Sequence, residues 1–257
     1  LGFYRNPKLY HPLERIYQKV SHILAIRRAD KIITISEATK LDIIKYFPKA
    51  KNKIKVIHLG YRKDDFKPIS QEDKKIFLDR HDYPDKFLLY IGRLESKKNV
   101  LSLIKAYKKT SRKWPLILAG RPGNYGYAAT EKMCAETDLK DDIMLLGYVS
   151  QVNYPKLMAS ATGFVFPSKF EGFGLPVLEA MASGVPVTCS NILALKEVAQ
   201  DAALYFDPDN IEDIKNKIEI IFNNQEQRTD LIAKGLERAK QFSWSKVARE
   251  TLDYILE

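Results

Sequence analysis

FLLYIGRLESKKNVLSLIKAYKKTSRKWPLILAG, residues 87–120, carries the pattern on which the fold rests. Two short apolar runs, 87–91 and 115–119, bracket the amphipathic stretch VLSLIKAYKK, and each run ends on a glycine, Gly92 and Gly120. Apolar runs of that length read as strands buried on both faces, and a helix between two of them reads as a parallel β-α-β unit. The rhythm continues through DIMLLG, YPKLMASA, GFVFP, LPVLEAMAS, VPVTCS, ALKEVA, AALYF and IEDIKNKIEIIF. Six strands are expected, at 87–91, 115–119, 142–146, 163–166, 186–189 and 203–206, in one parallel sheet wound with helices on both faces. Ligands of such sheets lie beyond the carboxyl ends of the strands, so the loops starting at Gly92, Gly120, Gly147, Pro167 and Ser190 are expected to line a crevice.

Upstream, a helix from about Leu9 to Ala29, a strand KIITIS, a helix from Glu37 to Tyr46 and a strand KIKVIHL read as the tail of another α/β unit. Two strands and two helices offer too little surface to close a core of their own, so further strands are expected before this segment or from a partner. Residues 59–85, polar and charged with Pro68 and Pro84, make the best linker candidate. The last segment, FSWSKVARETLDYILE, reads as a helix behind a Ser243 cap, able to cross back onto the front unit.

With 257 residues, 45% of them hydrophobic, the chain can hold one large domain, or one complete domain and part of another. No apolar run approaches the roughly 18 to 20 residues of a membrane-spanning helix, and LGFYRNPKLY at the front lacks a signal-peptide pattern. Cys134 and Cys189 stand far apart without a CxxC pair or a Cys/His cluster, which argues against a disulfide framework or a zinc site and for a reducing cytoplasm. Residues 1–83 hold 19 Lys and Arg against 10 Asp and Glu, and the remainder 23 against 22, so the net charge of +10 divides as +9 and +1. A basic first third suits a phospholipid surface or a phosphate-bearing acceptor; no helix-turn-helix or RNP-like pattern accompanies it to suggest nucleic acid. From Leu9 to Arg28, Leu13, Ile16, Tyr17, Val20, Ile23 and Leu24 oppose Arg15, Lys19, Arg27 and Arg28. That stripe suits either packing on its own sheet or contact with an anionic membrane.

The chemistry concentrates in FEGFGLPVLEAMASGVP, residues 170–186, where a strand runs into a glycine-bearing turn and then a helix with Pro176 near its first position. Gly172 and Gly174 let the backbone turn tightly and leave its N–H groups open to a ligand, beside the positive end of a helix dipole. Glu171 before the turn and Glu179 inside the helix can bracket one polyhydroxylated ligand, because a carboxylate accepts hydrogen bonds from two vicinal hydroxyls. Either glutamate alone reads as a solvated surface acid. The whole spacing reads differently, because the small, apolar AMASG behind Glu179 is a helix end expected to face the sheet, where a buried carboxylate would need a partner.

Glu171 and Glu179, with seven residues between them, match the E-x7-E motif of retaining glycosyltransferases of the GT-B fold, family 4. YIGRLESKKN, with Gly92, Arg93, Lys98 and Asn99, resembles the family's Gly-Arg-plus-Lys element, and RADKIITISEATKLDI (28–43), KVIHLGYRKDDF (55–66), LGYVS (146–150) and AALYFDP (202–208) follow in order. The resemblance runs from about residue 3 to 257, and within the family the chain looks most like mannosyltransferases of surface-polysaccharide assembly. It implies an α/β GT-B fold: a complete C-terminal Rossmann-like nucleotide-sugar domain at 84–240, a remnant of the N-terminal Rossmann-like acceptor domain with linker at 1–83, and a crossover helix at 241–257. The implied reaction moves a hexose, mannose favoured, from a GDP- or UDP-linked sugar to a glycan or lipid-linked acceptor with retained configuration. It implies no metal or other cofactor, and a place in the cytoplasm or on the inner face of its membrane.

By position, Arg93 and Lys98 would hold the donor diphosphate and Glu171 the donor sugar, these three carrying the catalytic role. Gly172, Phe173, Gly174 and Leu175 would present backbone N–H groups to sugar and phosphate, and Glu179 would bind the ribose hydroxyls. The loops at Gly120-Arg121 and Tyr148-Val149 would border the base, and Gly92, beside Arg93, would also contact the donor. Asp207-Pro208-Asp209 spells a DxD but reads as a turn, and His58 reads as structural. The departure is at the front: many relatives carry a His-Asp pair just before a segment like LGFYRNPKLYHPLERIY, so this chain is expected to start past that His. Two other readings stay open, a truncated, inactive sugar-nucleotide-binding module and a GT-B sugar-nucleotide epimerase.

Overall fold

The computed structural model of the chain describes residues 4, 12–123, 126–136 and 138–257, and its front segment forms a two-stranded parallel sheet. Helix α1 (Pro12–Arg28) leads into β1 (Ile32–Thr34), α2 (Glu37–Tyr46) and β2 (Ile54–Val56), with Ile32 opposite Ile54. Ile26, Ile43, Ala50 and Ile54 form a small core there. Leu9 to His11, the expected beginning of the first helix, lie outside the described residues. Leu13, Ile16, Tyr17, Val20 and Leu24 on α1 are exposed, so the apolar stripe has no cover among the described residues.

Residues 59–85 hold more structure than a linker. Phe66 is buried in the main core, and so are Phe77 and Leu78 of α3 (Gln71–His81). Ser70 caps this helix: its Oγ accepts from the Asp73 N–H at 3.0 Å and donates to the Asp73 carboxylate at 2.7 Å. Only the consecutive Ile76, Phe77 and Leu78 are apolar in α3, too few to show a helical period, but the Ser-x-x-Asp start is a readable capping signal.

The main sheet contains β3 (Leu88–Ile91), β4 (Leu116–Ala119), β5 (Ile143–Gly147), β6 (Gly163–Phe166), β7 (Val187–Ser190) and β8 (Ala203–Phe206), all parallel and within one residue of their expected bounds. Every residue of β4, β6 and β7 is buried, as continuous apolar runs require. The strand order is β5-β4-β3-β6-β7-β8. The chain therefore winds outward from β3 to β5, then returns to the other side of β3 and winds outward again. Ligands of doubly wound sheets lie beyond the strand ends at such a reversal, and here the loops after β3 and β6 touch, the Lys169 N–H donating to the Lys97 carbonyl at 3.1 Å. Helices α4 (Val100–Lys108), α5 (Tyr127–Cys134), α6 (Asn153–Ser160), α7 (Leu175–Ala182), α8 (Leu193–Ala199), α9 (Ile211–Asn223) and α10 (Gln225–Ala239) connect and cover the strands.

The last helix, α11 (Trp244–Leu256), lies against the front sheet. The Tyr254 hydroxyl donates to the Lys53 carbonyl at 2.7 Å, and Lys31 Nζ donates to the Tyr254 carbonyl at 2.7 Å. The last helix thus packs on the small sheet that β1 and β2 form.

Candidate functional site

The loops after β3 and β4 are zipped together. Gly92 N–H donates to the Ala119 carbonyl, Leu94 N–H to Arg121 and Gly123 N–H to Leu94, each at 3.0 Å. Gly120 sits at φ +148°, and a Cβ there would lie 1.8 Å from the Gly92 carbonyl oxygen. Only glycine satisfies both conditions. Gly120→Ala is therefore expected to lower stability by roughly 2–4 kcal/mol in urea denaturation, since no side chain can yield. Gly92, Arg93, Gly120, Arg121, Tyr148 and Val149 line one cleft of about 440 Å³ together with Tyr154. The Arg121 guanidinium stacks 4.4 Å from the Tyr148 ring centre, giving a flat cationic wall.

Arg93 and Lys98 share a loop but not a state. Lys98 closes a short 3-10 turn, Ser96–Lys98, and Asn99, at φ 59°, redirects the chain into α4 while its Nδ2 donates to the Pro208 carbonyl at 2.7 Å. Lys98 Nζ lies 2.5 Å from Glu171 Oε1, with the two side chains 18% and 13% exposed. Arg93 is 55% exposed, and its nearest carboxylate, that of Glu95, is 3.9 Å away. An ammonium has three donors and Glu171 engages one, so Lys98 can still reach an anion while anchored. The loop after β3 thus carries one anchored cation, Lys98, and one loosely held cation, Arg93. Glu171 engages Lys98 through Oε1 alone.

The Glu171–Leu175 turn is fixed from behind. The Gly172 carbonyl accepts from Ser36 Oγ at 2.6 Å and from Thr39 Oγ1 at 3.3 Å. The Phe173 ring is buried against His58 and Phe242, with ring centres 5.9 and 6.0 Å apart, so only its backbone can face a ligand. Gly174 adopts φ +115°, and a Cβ there would lie 2.5 Å from Leu195 Cδ2. Leu175 and Pro176 then begin α7. His58, read as structural, places Nε2 2.6 Å from Glu197 Oε1. The Asp207 and Asp209 N–H groups donate to Asp213 and Asp207 at 2.8 and 2.9 Å, and Asp209 pairs with Lys169, an ordinary turn arrangement. Among the described residues, no three His, Cys, Asp or Glu side chains gather so as to hold a metal.

Glu179, one turn inside α7, has the partner that its buried position demands. The Tyr154 hydroxyl on α6 donates to Glu179 Oε2, and the Tyr154 ring packs edge-on against Phe66, 5.1 Å between centres. Burial pushes the Glu179 carboxyl up to about 7, while the Tyr154 hydrogen bond and the Arg62 charge hold it down. Neither Tyr154 nor Arg62 was among the sequence-derived candidates. Tyr154 lies in YPKLMASA, which reads simply as a helix, and Arg62 in the polar stretch read as a linker.

A cleft at the carboxyl ends of the strands of a doubly wound sheet, lined by Arg93 and Arg121, is the arrangement of α/β proteins that take ligands near their switch point. A family model described as "Glycosyl transferases group 1" matches residues 70–238, and the chain belongs to that family. It is 35% identical over 250 residues to "O-antigen chain mannosyltransferase B" of Escherichia coli, covering 95% of this chain and 65% of that protein. It is 30% identical to "O-antigen chain mannosyltransferase RfbU" of Salmonella typhimurium, covering 88% of this chain and 60% of that protein. The chain thus spans less than two thirds of the length of either relative. Among solved structures, Anabaena Alr3699/HepE in complex with UDP and glucose superposes with a TM-score of 0.84 at 20% identity, over 97% of this chain and 68% of that one. The fold is that of the GT-B glycosyltransferases.

Proposed function

We propose that this chain supplies the donor site of a retaining hexosyltransferase, with mannose as the favoured sugar, acting on a glycan or lipid-linked acceptor in cell-surface polysaccharide assembly. One observation carries the reading: Lys98 on the loop after β3 pairs with Glu171 on the loop after β6, while Arg93 and Tyr154, the partner of Glu179, line one cleft beside them. Arg93 and Lys98 neutralise the diphosphate and stabilise the charge that develops on it as the sugar leaves, without a metal in that role. Glu179 takes the ribose hydroxyls, the cleft between Arg121–Tyr148 and Val149 takes the base, and Glu171 steers Lys98 and meets the sugar. The likeness to O-antigen mannosyltransferases supports mannose and a glycan acceptor. The basic first third suits a peripheral place on the inner face of the cytoplasmic membrane.

Calorimetry of the chain against GDP-, UDP- and ADP-linked sugars tests the reading, with tighter binding of GDP-mannose than of UDP-glucose as the expected result. Binding to none of the three nucleotides would refute a donor site.

A further inference from the structure

We propose that Ser36 and Thr39, at the head of α2 in the front sheet, are positioning residues for the donor turn in the main sheet: their hydroxyls converge on the Gly172 carbonyl and set the peptide that joins Gly172 to Phe173. This rests on the donor-site reading above.

Ser36 is fully buried, and its hydroxyl donates to a carbonyl 136 residues away on the other sheet, at 2.6 Å. Thr39 Oγ1 donates to the same oxygen at 3.3 Å, so both lone pairs of the Gly172 carbonyl are engaged from one side. A trans peptide is planar, with its C=O and the following N–H on opposite edges. Holding the Gly172 oxygen against α2 therefore aims the Phe173 N–H away from α2. A Cβ on Gly172 would meet Ile35 Cδ1 at 3.4 Å, so the turn is seated against the end of β1 as well as bonded to α2.

A second grip lies beside the first. Glu197 on α8 accepts from the Glu37 N–H at 2.8 Å and the Ala38 N–H at 3.4 Å, and its Oε1 lies 2.6 Å from His58 Nε2. The head of α2 is thereby clamped to the main sheet at two places, Gly172 and Glu197. The direction of the Phe173 N–H is set by a segment that belongs to a different sheet, and ligand binding at the turn is linked to the placement of that sheet.

Ser36 has a second duty that must be separated from the first. Its Oγ also accepts from the Thr39 N–H at 3.0 Å and so caps α2. A cap needs only an acceptor, whereas holding the Gly172 oxygen needs a donor. Ser36→Asp keeps the cap and removes the donor, and Thr39→Val removes one hydroxyl while leaving the cap acceptor untouched.

Calorimetry on the full chain with GDP-mannose, UDP-glucose and the two bare nucleosides tests the proposal. The expected result is a loss of nucleotide-sugar affinity of about tenfold in Ser36→Asp and about threefold in Thr39→Val, with nucleoside affinity held within about twofold. Should Ser36→Asp fail to fold, Thr39→Val gives the answer alone. A wild-type chain that binds no nucleotide sugar overturns the donor-site reading. Wild-type binding that the folded variants retain in full overturns the positioning role alone, and so does an equal loss for nucleoside and nucleotide sugar, which marks a merely structural contact.

Discussion

Glu179→Gln is expected to weaken nucleoside diphosphate binding about tenfold at pH 8 and, at the same pH, to raise the melting temperature. Burial lifts the Glu179 carboxyl from 4.5 to about 7. Between those values the folded chain holds a proton that the unfolded chain has lost. Stability from this group is therefore fully present below about pH 4.5, declines as pH rises, and is gone above about pH 7. A shift of that size corresponds to a loss on the order of 3 kcal/mol at pH 8. Glutamine cannot ionise, and its carbonyl still accepts from Tyr154, so the loss disappears. For a chain of this size the gain amounts to roughly 6–12 °C by calorimetric melting, with little change at pH 5.

The same substitution removes the charge that a ribose diol would use. A hydrogen bond to a carboxylate contributes about 1 to 1.5 kcal/mol more than one to a neutral acceptor, which corresponds to about fivefold to tenfold in affinity. Stability and binding thus move in opposite directions, as expected where a fold holds an ionisable group in an unfavourable place for use. Affinity within about twofold of wild type would show that Glu179 does not hold the ribose, and a melting temperature unchanged at pH 8 would show that its ionisation is not opposed by burial.

Lys98→Ala is expected to weaken nucleoside diphosphate binding by about thirtyfold to a hundredfold, leave the bare nucleoside within about twofold, and destabilise the chain. Arg93→Ala is expected to show the same selectivity at about tenfold and no loss of stability. The difference follows from their settings. Lys98 and Glu171 are largely buried and 2.5 Å apart, so truncating the lysine strands a carboxylate at about 3 kcal/mol or more. Arg93 is exposed and 3.9 Å from its nearest carboxylate, so its removal strands nothing. Adding Glu171→Gln to Lys98→Ala should restore most of the stability and none of the diphosphate affinity, which denaturation and calorimetry read separately. A Lys98→Ala chain that loses nucleoside and diphosphate affinity in equal proportion would place the lysine in the scaffold and not on the phosphate.

Much of this molecule is legible along the chain, because short apolar runs, capping residues and glycine turns act on their own neighbourhoods. The six strands, the Gly172–Gly174 turn into α7 and the apolar surroundings of Glu179 follow from LPVLEAMAS, GFVFP and their like without knowledge of the rest of the fold. Helix α3 escaped the apolar pattern because its stability comes from a cap and two side chains docked on a distant core. What only the tertiary structure decided is which residues meet. Tyr154 and Glu179 are 25 residues apart, Lys98 and Glu171 are 73 apart, and Ser36 and Gly172 are 136 apart. Each pairing depends on strand order, on β6 lying beside β3 and on the front sheet docking against the β6 loop, and strand order is set by the packing of whole elements. Local pattern carries each residue's tendency to be buried or to turn, whereas a hydrogen-bond partner for a buried carboxylate or carbonyl is chosen only when separate segments share one low-dielectric space.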